Sequence, residues 1–195
     1  MAPESKAVAR IQTPERGQSD YAHAESLLLN SILSGEEHVA NRATLGPTIP
    51  IRLFQALRLI ALGTSMEEMV GGGSRALVYR SGQRLGETLG RAVLPLTGKD
   101  LNTYLGKVRD VALKLSLGLV VPEKVDLSVG KLVLRVDECV SCAGITNANG
   151  PICHFEAGMV GGLVRAFAGV DARAVETRCN AVGDRTCGIE VQIQG

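Results

Sequence analysis

The run Cys153-His154-Phe155-Glu156-Ala157-Gly158, continued by Glu176-Thr177-Arg178-Cys179 and Gly183-Asp184-Arg185-Thr186-Cys187, decides how this chain is read. It sets three thiols and a carboxylate within 35 residues, separated by one helix and one hairpin, so that all four can converge on a single metal ion. Pro151 opens the helix, in which Phe155, Met159, Leu163 and Phe167 form an i, i+4 ridge that Gly169 closes. Ala174 to Cys179 and Cys187 to Gln194 are then strands joined by a turn at Gly183-Asp184. In the second of them Ile189, Val191 and Ile193 share a face with Cys187.

Upstream of this run the apolar period changes from 3.6 to 2. Val125, Leu127 and Val129, then Leu132, Leu134 and Val136, alternate with polar neighbours around Gly130. That pattern predicts an antiparallel hairpin with one buried face, and it delivers Cys139-x2-Cys142. Earlier still the pattern is helical. Asp100 caps a helix over Leu101–Leu117 carrying Tyr104, Leu105, Val108, Val111 and Ala112 on one side. A helix from about Arg75 to Leu94 holds Gly82-x3-Gly86-x3-Gly90 down one face. Each glycine costs roughly 1 kcal/mol of propensity against alanine, so the face predicts close approach of another backbone or, alternatively, room for a ligand.

A helix over Ile51–Leu62 is expected to stop at Gly63, with Ser65 and Glu68 forming the capping box of the next. Gly71-Gly72-Gly73 is read as a hinge, because no Gly-Lys-Ser/Thr follows it. Residues 1–45 read as an extension: a mobile tail over 1–20 and a helix over Tyr21–Leu33 that is either a dimer arm or packed on its own domain. The domain proper spans 46–195. The fold class that follows is α+β, an antiparallel sheet of two hairpins covered by helices.

Composition narrows the function. The formal net charge is +1 and aromatic residues make up 3% without any Trp, which argues against nucleic-acid partners and stacking platforms. No run reaches the length of a membrane span and no apolar signal region opens the chain. Five cysteines, an odd number, read as reduced thiols or metal ligands, and cytoplasmic localisation is expected.

Spacing alone leaves two ligand sets open. Cys139-x2-Cys142 with Cys179 and Cys187 would make a four-thiolate site; Cys153, Glu176, Cys179 and Cys187 form the competing set. In the second, Cys153 sits at a helix N-terminus, where the dipole favours a thiolate. Glu176 and Cys179 have opposite parity in a straight strand, so that set needs a bulge between them.

The segments Glu138–Gly144, Pro151–Gly162 and Glu176–Cys187 resemble the 4-vinyl reductase domain, and the helical stretch Leu53–Leu94 resembles its earlier part. The resemblance covers about Gly46 to Gln194. It implies a family of tetrapyrrole-pathway proteins, archaeal hydrocarbon-binding proteins and sensory domains of phenol-responsive activators. In those sensory members a structural zinc is held by Cys, Glu, Cys and Cys, which fall here on Cys153, Glu176, Cys179 and Cys187. The implied cofactor is therefore a structural Zn²⁺ with no open coordination position, and Arg178 and Arg185 are candidates to offset its charge. Cys139 and Cys142 stay unassigned, as packed thiols, a redox pair or ligands of a second metal.

No nucleophile elbow, HExxH, phosphate loop or dinucleotide fingerprint is legible, so no catalytic residue is named. The first expectation is a zinc-stabilised module binding a hydrophobic or tetrapyrrole-like ligand. Its cavity would lie between the glycine-bearing helices and the sheet, lined by Phe54, Leu57, Tyr79, Leu113, Phe155 and Met159. The alternatives are a 4-vinyl reductase or accessory protein of (bacterio)chlorophyll biosynthesis, and a dimeric interaction module, since the family resembles vesicle-tethering subunits in fold. The resemblance implies a homodimer. The chain departs from the phenol sensors in having no Trp, which leaves phenol itself unsupported as ligand.

Overall fold

The computed structural model describes residues 20–35, 42, 44, 45 and 48–194. The expectations for the first 19 residues, and for Gly46 as the start of the domain, lie outside them. Four strands, β1 (Leu119–Asp126), β2 (Lys131–Asp137), β3 (Asp171–Arg178) and β4 (Cys187–Gln194), form one antiparallel sheet in the order β1-β2-β4-β3. The two hairpins are therefore joined side by side by the β2–β4 pairing.

One face of this sheet is the core. Leu132, Leu134 and Val136 of β2 lie opposite Val191, Ile189 and Cys187 of β4, and Ala172 and Ala174 of β3 continue the same face. The other face is polar, with Lys131 reaching Glu190 at 2.8 Å and Arg135 reaching Asp137 at 3.0 Å. The first strand starts earlier than its alternation suggested. Leu127 and Val129 stand exposed in the turn, where Gly130, at φ +63°, donates its N–H to Leu127 O. Val120 and Pro122 face the core instead, opposite Val136 and Leu134. Pro122 has no N–H for the ladder, which an edge strand tolerates, and the register shifts immediately after it.

A helix over His154–Ala168 (α6, numbered in chain order with those below) crosses from β2 to β3 over the apolar face, with Ala157, Val160 and Val164 in the core. On α6 lies the long helix α4 (Ser74–Thr97). The expected close approach explains its glycines. A Cβ on Gly82 or Gly86 would overlap the carbonyl of Phe155 or Met159, and one on Gly158 or Gly162 would overlap that of Tyr79 or Gln83. The two helices share reciprocal bare seams, so this face is a helix–helix contact rather than room for a ligand.

The segment before α4 departs from expectation. α2 (Ile51–Gln55) passes through a π-helical stretch, Ala56–Thr64, into α3 (Ser65–Val70) without a break. Gly63 does not stop it, and Ser65 lies in helical conformation with the turn before it already formed, so it has no cap to make. The π-helical turns swing Gln55 and Arg58 into the protein, where both are buried. Gly71–Gly73 form a tight turn into α4, beginning with Gly71 at φ +63°.

α5 (Leu101–Lys114) is capped as expected: Asp100 accepts the Thr103 N–H at 2.8 Å. It ends short of Leu117, whose N–H turns back to Ala112 O. α1 (Asp20–Ser34) packs on its own domain through Ile32 and Leu33, against Val93, Tyr104 and Val111. Among the described residues no helix is long and apolar enough to cross a membrane.

Candidate metal centre and apolar cavity

Five cysteines meet where β2, α6 and the β3–β4 hairpin come together, and all five are buried and reduced. Cys139 and Cys142 come from the turn after β2, in which Cys142 and Ala143 donate their N–H groups to Cys139 O at 3.2 and 2.9 Å. Cys153 precedes α6, Cys179 follows β3, and Cys187 opens β4. The parity problem between Glu176 and Cys179 is resolved by a register shift between Glu176 and Arg178. Glu176 thus stays on the core face opposite Ile189, and Cys179 returns to it after the bulge.

The structure brings the donors into two overlapping sets. The ligand atoms of Cys153, Glu176, Cys179 and Cys187 all lie within 4.8 Å of one another, and so do those of Cys139, Cys142, Cys153 and Cys187. Cys153 Sγ lies 4.0 Å from both Cys179 Sγ and Cys187 Sγ and 3.7 Å from Cys139 Sγ. A tetrahedral metal with metal–sulfur bonds of about 2.3 Å sets its sulfurs about 3.8 Å apart. The donors are therefore spaced as one ion would space them.

Glu176 supplies an independent test of that fit. Its Oε2 accepts the Cys153 N–H at 2.9 Å, while its Oε1 is buried with no hydrogen-bond partner. An unpartnered carboxylate oxygen among thiols is costly unless a cation takes it. Burial pushes the Glu176 carboxyl above its ordinary pKa and the Cys179 thiol up to about 12. Contacts with Cys139, Cys142 and Cys187 drive Cys153 far above the usual thiol range, so crowding outweighs the helix N-terminus expected to lower it. These groups can shed their protons together only to a metal.

Around the donors the structure adds residues that spacing did not reveal. Ser141, fully buried, donates to Glu156 Oε1 at 2.5 Å, and Arg58 reaches Glu156 Oε2 at 3.4 Å and Ile152 O at 3.3 Å. Gln55 donates to Val140 O at 3.0 Å and Ala143 O at 2.9 Å, pinning the Cys139–Cys142 turn from outside. The Cys179 N–H is held by Asp184 at 2.8 Å. Arg178, a candidate to offset the site's charge, instead pairs with Glu123 at 2.7 Å on the polar side of the sheet.

Beside this centre, between α4, α5, α6 and the sheet, lies an apolar cavity of about 70 Å³. Leu89, Val108, Ala112, Leu134, Met159 and Ile189 are among its walls. Two polar groups on it have their own partners: Tyr104 donates its hydroxyl to Leu163 O at 2.8 Å, and Glu156 bonds Ser141. Of the six residues expected to line a ligand cavity, Met159 does so. Leu57 and Leu113 are exposed, and Tyr79 is built into the α4–α6–sheet seam, accepting the Ala174 N–H at 3.0 Å. The Phe155 ring lies under the Arg58 guanidinium at 5.0 Å, and Phe54 is half-buried on α2 away from the cavity. The missed walls came from the apolar face of α5, which was legible as a face but not as a wall.

A helix-covered antiparallel sheet enclosing an apolar cavity beside a thiolate cluster defines a small-molecule-binding type of domain. Residues 132–193 match the family model of the vinyl-4-reductase domain. The uncharacterized protein MJ0150 of Methanocaldococcus jannaschii is 31% identical over 152 residues, which span 77% of this chain and 80% of that relative. The chain belongs to the vinyl-4-reductase domain family.

Two solved structures share its fold. A vinyl-4-reductase family protein from Methanocaldococcus jannaschii aligns with a TM-score of 0.60 at 14% identity, covering 93% of this chain and 100% of that one. The phenol-responsive sensory domain of the transcription activator PoxR, solved with phenol, aligns with a TM-score of 0.58 at 18% identity, covering 85% and 90%.

Proposed function

We propose that this chain is a small-molecule-binding sensory or carrier domain. A zinc ion on Cys153, Glu176, Cys179 and Cys187 would staple α6 to the β3–β4 hairpin beside the cavity. The observation that carries the metal reading is the buried, unpartnered Glu176 Oε1 among three thiols. A closed four-ligand site would hold the fold and leave substrate no open position. The cavity, with walls of aliphatic side chains and its polar groups already satisfied, suits an apolar ligand.

Size refines the class. A cavity near 70 Å³ is below the roughly 150 Å³ that admits benzene in an engineered apolar cavity. A single ring or short hydrocarbon would enter with slight outward movement of α5, whereas a tetrapyrrole would require the helices to separate. This supports the hydrophobic-ligand reading over the tetrapyrrole one. The vinyl reductase reading gains no group on the cavity wall placed to move a proton or hydride.

The ligand reading is tested by thermal unfolding with toluene, cyclohexane or indole. Binding to the native state alone raises the melting temperature, and Ala112→Leu, which fills the cavity, should abolish the rise while retaining the zinc. No rise with any of these probes, or an unchanged rise in Ala112→Leu, would overturn it.

A further inference from the structure

The proposed zinc site uses one half of the thiol cluster and leaves Cys139 and Cys142 without a task. Both are buried, at 4% and 1% exposure, and their sulfurs complete a second tetrad with Cys153 and Cys187. The two tetrads share those two residues. Four-coordinate ions in both would have tetrahedra joined along the Cys153–Cys187 edge, whose sulfurs are 4.0 Å apart. We propose that the cluster is dinuclear. One divalent, thiophilic ion is held by Cys139, Cys142, Cys153 and Cys187, a second by Cys153, Glu176, Cys179 and Cys187, and the Cys153 and Cys187 thiolates bridge them.

The surroundings of the Cys139–Cys142 turn favour ligands over packed thiols. A cysteine that merely fills space behaves as a small apolar side chain. This turn is instead fixed from three sides by buried polar groups: Gln55 holds the Val140 and Ala143 carbonyls, Ser141 bonds Glu156, and Arg58 anchors Glu156 in turn. The clamp presents both sulfurs toward Cys153 and Cys187, with Cys142 Sγ 3.3 Å from Cys187 Sγ and Cys139 Sγ 3.7 Å from Cys153 Sγ.

Charge is conserved as the second ion enters. It brings two positive charges, and the Cys139 and Cys142 thiols release two protons to solvent, so the net charge of the buried site does not change. No oxidation occurs and no further reactant is consumed. The bridging sulfurs change from one metal bond to two.

This inference rests on the single-metal reading and is distinguishable from it. Zinc per chain is counted by native mass spectrometry and elemental analysis of the dialysed protein, and the cobalt-loaded protein is followed by electron paramagnetic resonance. We expect two ions per wild-type chain, magnetic coupling that suppresses the cobalt signal, and a halving to one ion with recovery of the uncoupled signal in Cys139→Ser/Cys142→Ser. One ion per wild-type chain would overturn the dinuclear cluster and leave the single site standing. Metal-free protein would overturn both. Two uncoupled cobalt ions, or iron with acid-labile sulfide, would overturn the bridged arrangement. The wild-type measurements decide the matter even if the double variant does not fold.

Discussion

At the scale of single residues, Glu176 is the group on which the metal reading turns. Its burial raises the carboxyl above the ordinary 4.5, so above that pH the metal-free native state binds more protons than the unfolded chain. Stability of the metal-free protein should then fall as pH rises through the window above 4.5. With metal bound the sign reverses, because every ligand must be unprotonated and acid competes with the ion. Urea denaturation across pH 4 to 8, with and without a strong chelator, should give opposite slopes. Glu176→Gln should flatten the chelated slope and speed zinc loss by at least about tenfold. Equal slopes in the two conditions would count against a metal at this residue. Cys179→Ser should likewise lower zinc content and destabilise the fold by roughly 3 kcal/mol or more, as breaking a closed structural site does.

At the scale of elements, identical substitutions should have opposite signs. A Cβ on Gly86 has nowhere to go but into the Met159 carbonyl, whereas one on Gly106 in α5 meets nothing within 4 Å. Gly106→Ala should stabilise by about 1 kcal/mol from helix propensity. Gly86→Ala should destabilise by about 1–3 kcal/mol, as overpacking does, and loosen α4 from α6. Urea midpoints at constant m-value would report both; a stabilised Gly86→Ala protein would mean the seam is softer than described.

Much of this level was legible, because Gly82, Gly86 and Gly90 fall on one helical face and their propensity cost demands compensation. The bulge between Glu176 and Arg178 was legible too, as the condition under which Glu176 and Cys179 could meet. The passage through Gly63 and Ser65 was not. A π-helical stretch breaks the 3.6 period on which the helix was read, and Ser65 followed by Glu68 mimics a capping box inside a continuous helix. Gln55 and Arg58 were hidden for the same reason, since polar residues are buried there only to hold a turn 85 or more residues away. The cavity walls escaped because apolar residues on α4 and α5 look alike whether they meet a neighbour or an empty space.

At the scale of the whole molecule, metal and cavity share their framework. Glu156 lines the cavity and bonds Ser141 within the cysteine turn, while Cys187 and Ile189 lie two residues apart on β4, one at the cluster and one on the cavity wall. Zinc and an apolar ligand should therefore reinforce one another, and by linkage the effect must be reciprocal. Chelation should weaken toluene binding by about 5-fold or more, and saturating toluene should slow zinc transfer to a chromogenic chelator by a comparable factor. Titration calorimetry and transfer kinetics measure the two halves; independence of the two would confine the metal's effect to its own hairpin.

The strand order carries a further consequence, for how the chain comes together as it is made. β4 is written after β3 yet lies between β2 and β3, which touch only through it. Until residues 187–194 have left the ribosome, the β1–β2 ribbon and β3 are unconnected pieces, and four thiols wait on the growing chain for a fifth. Metal insertion is thus timed to the end of synthesis of this domain, and a nascent chain halted at Thr186 should remain fully reactive toward thiol reagents that the finished protein excludes.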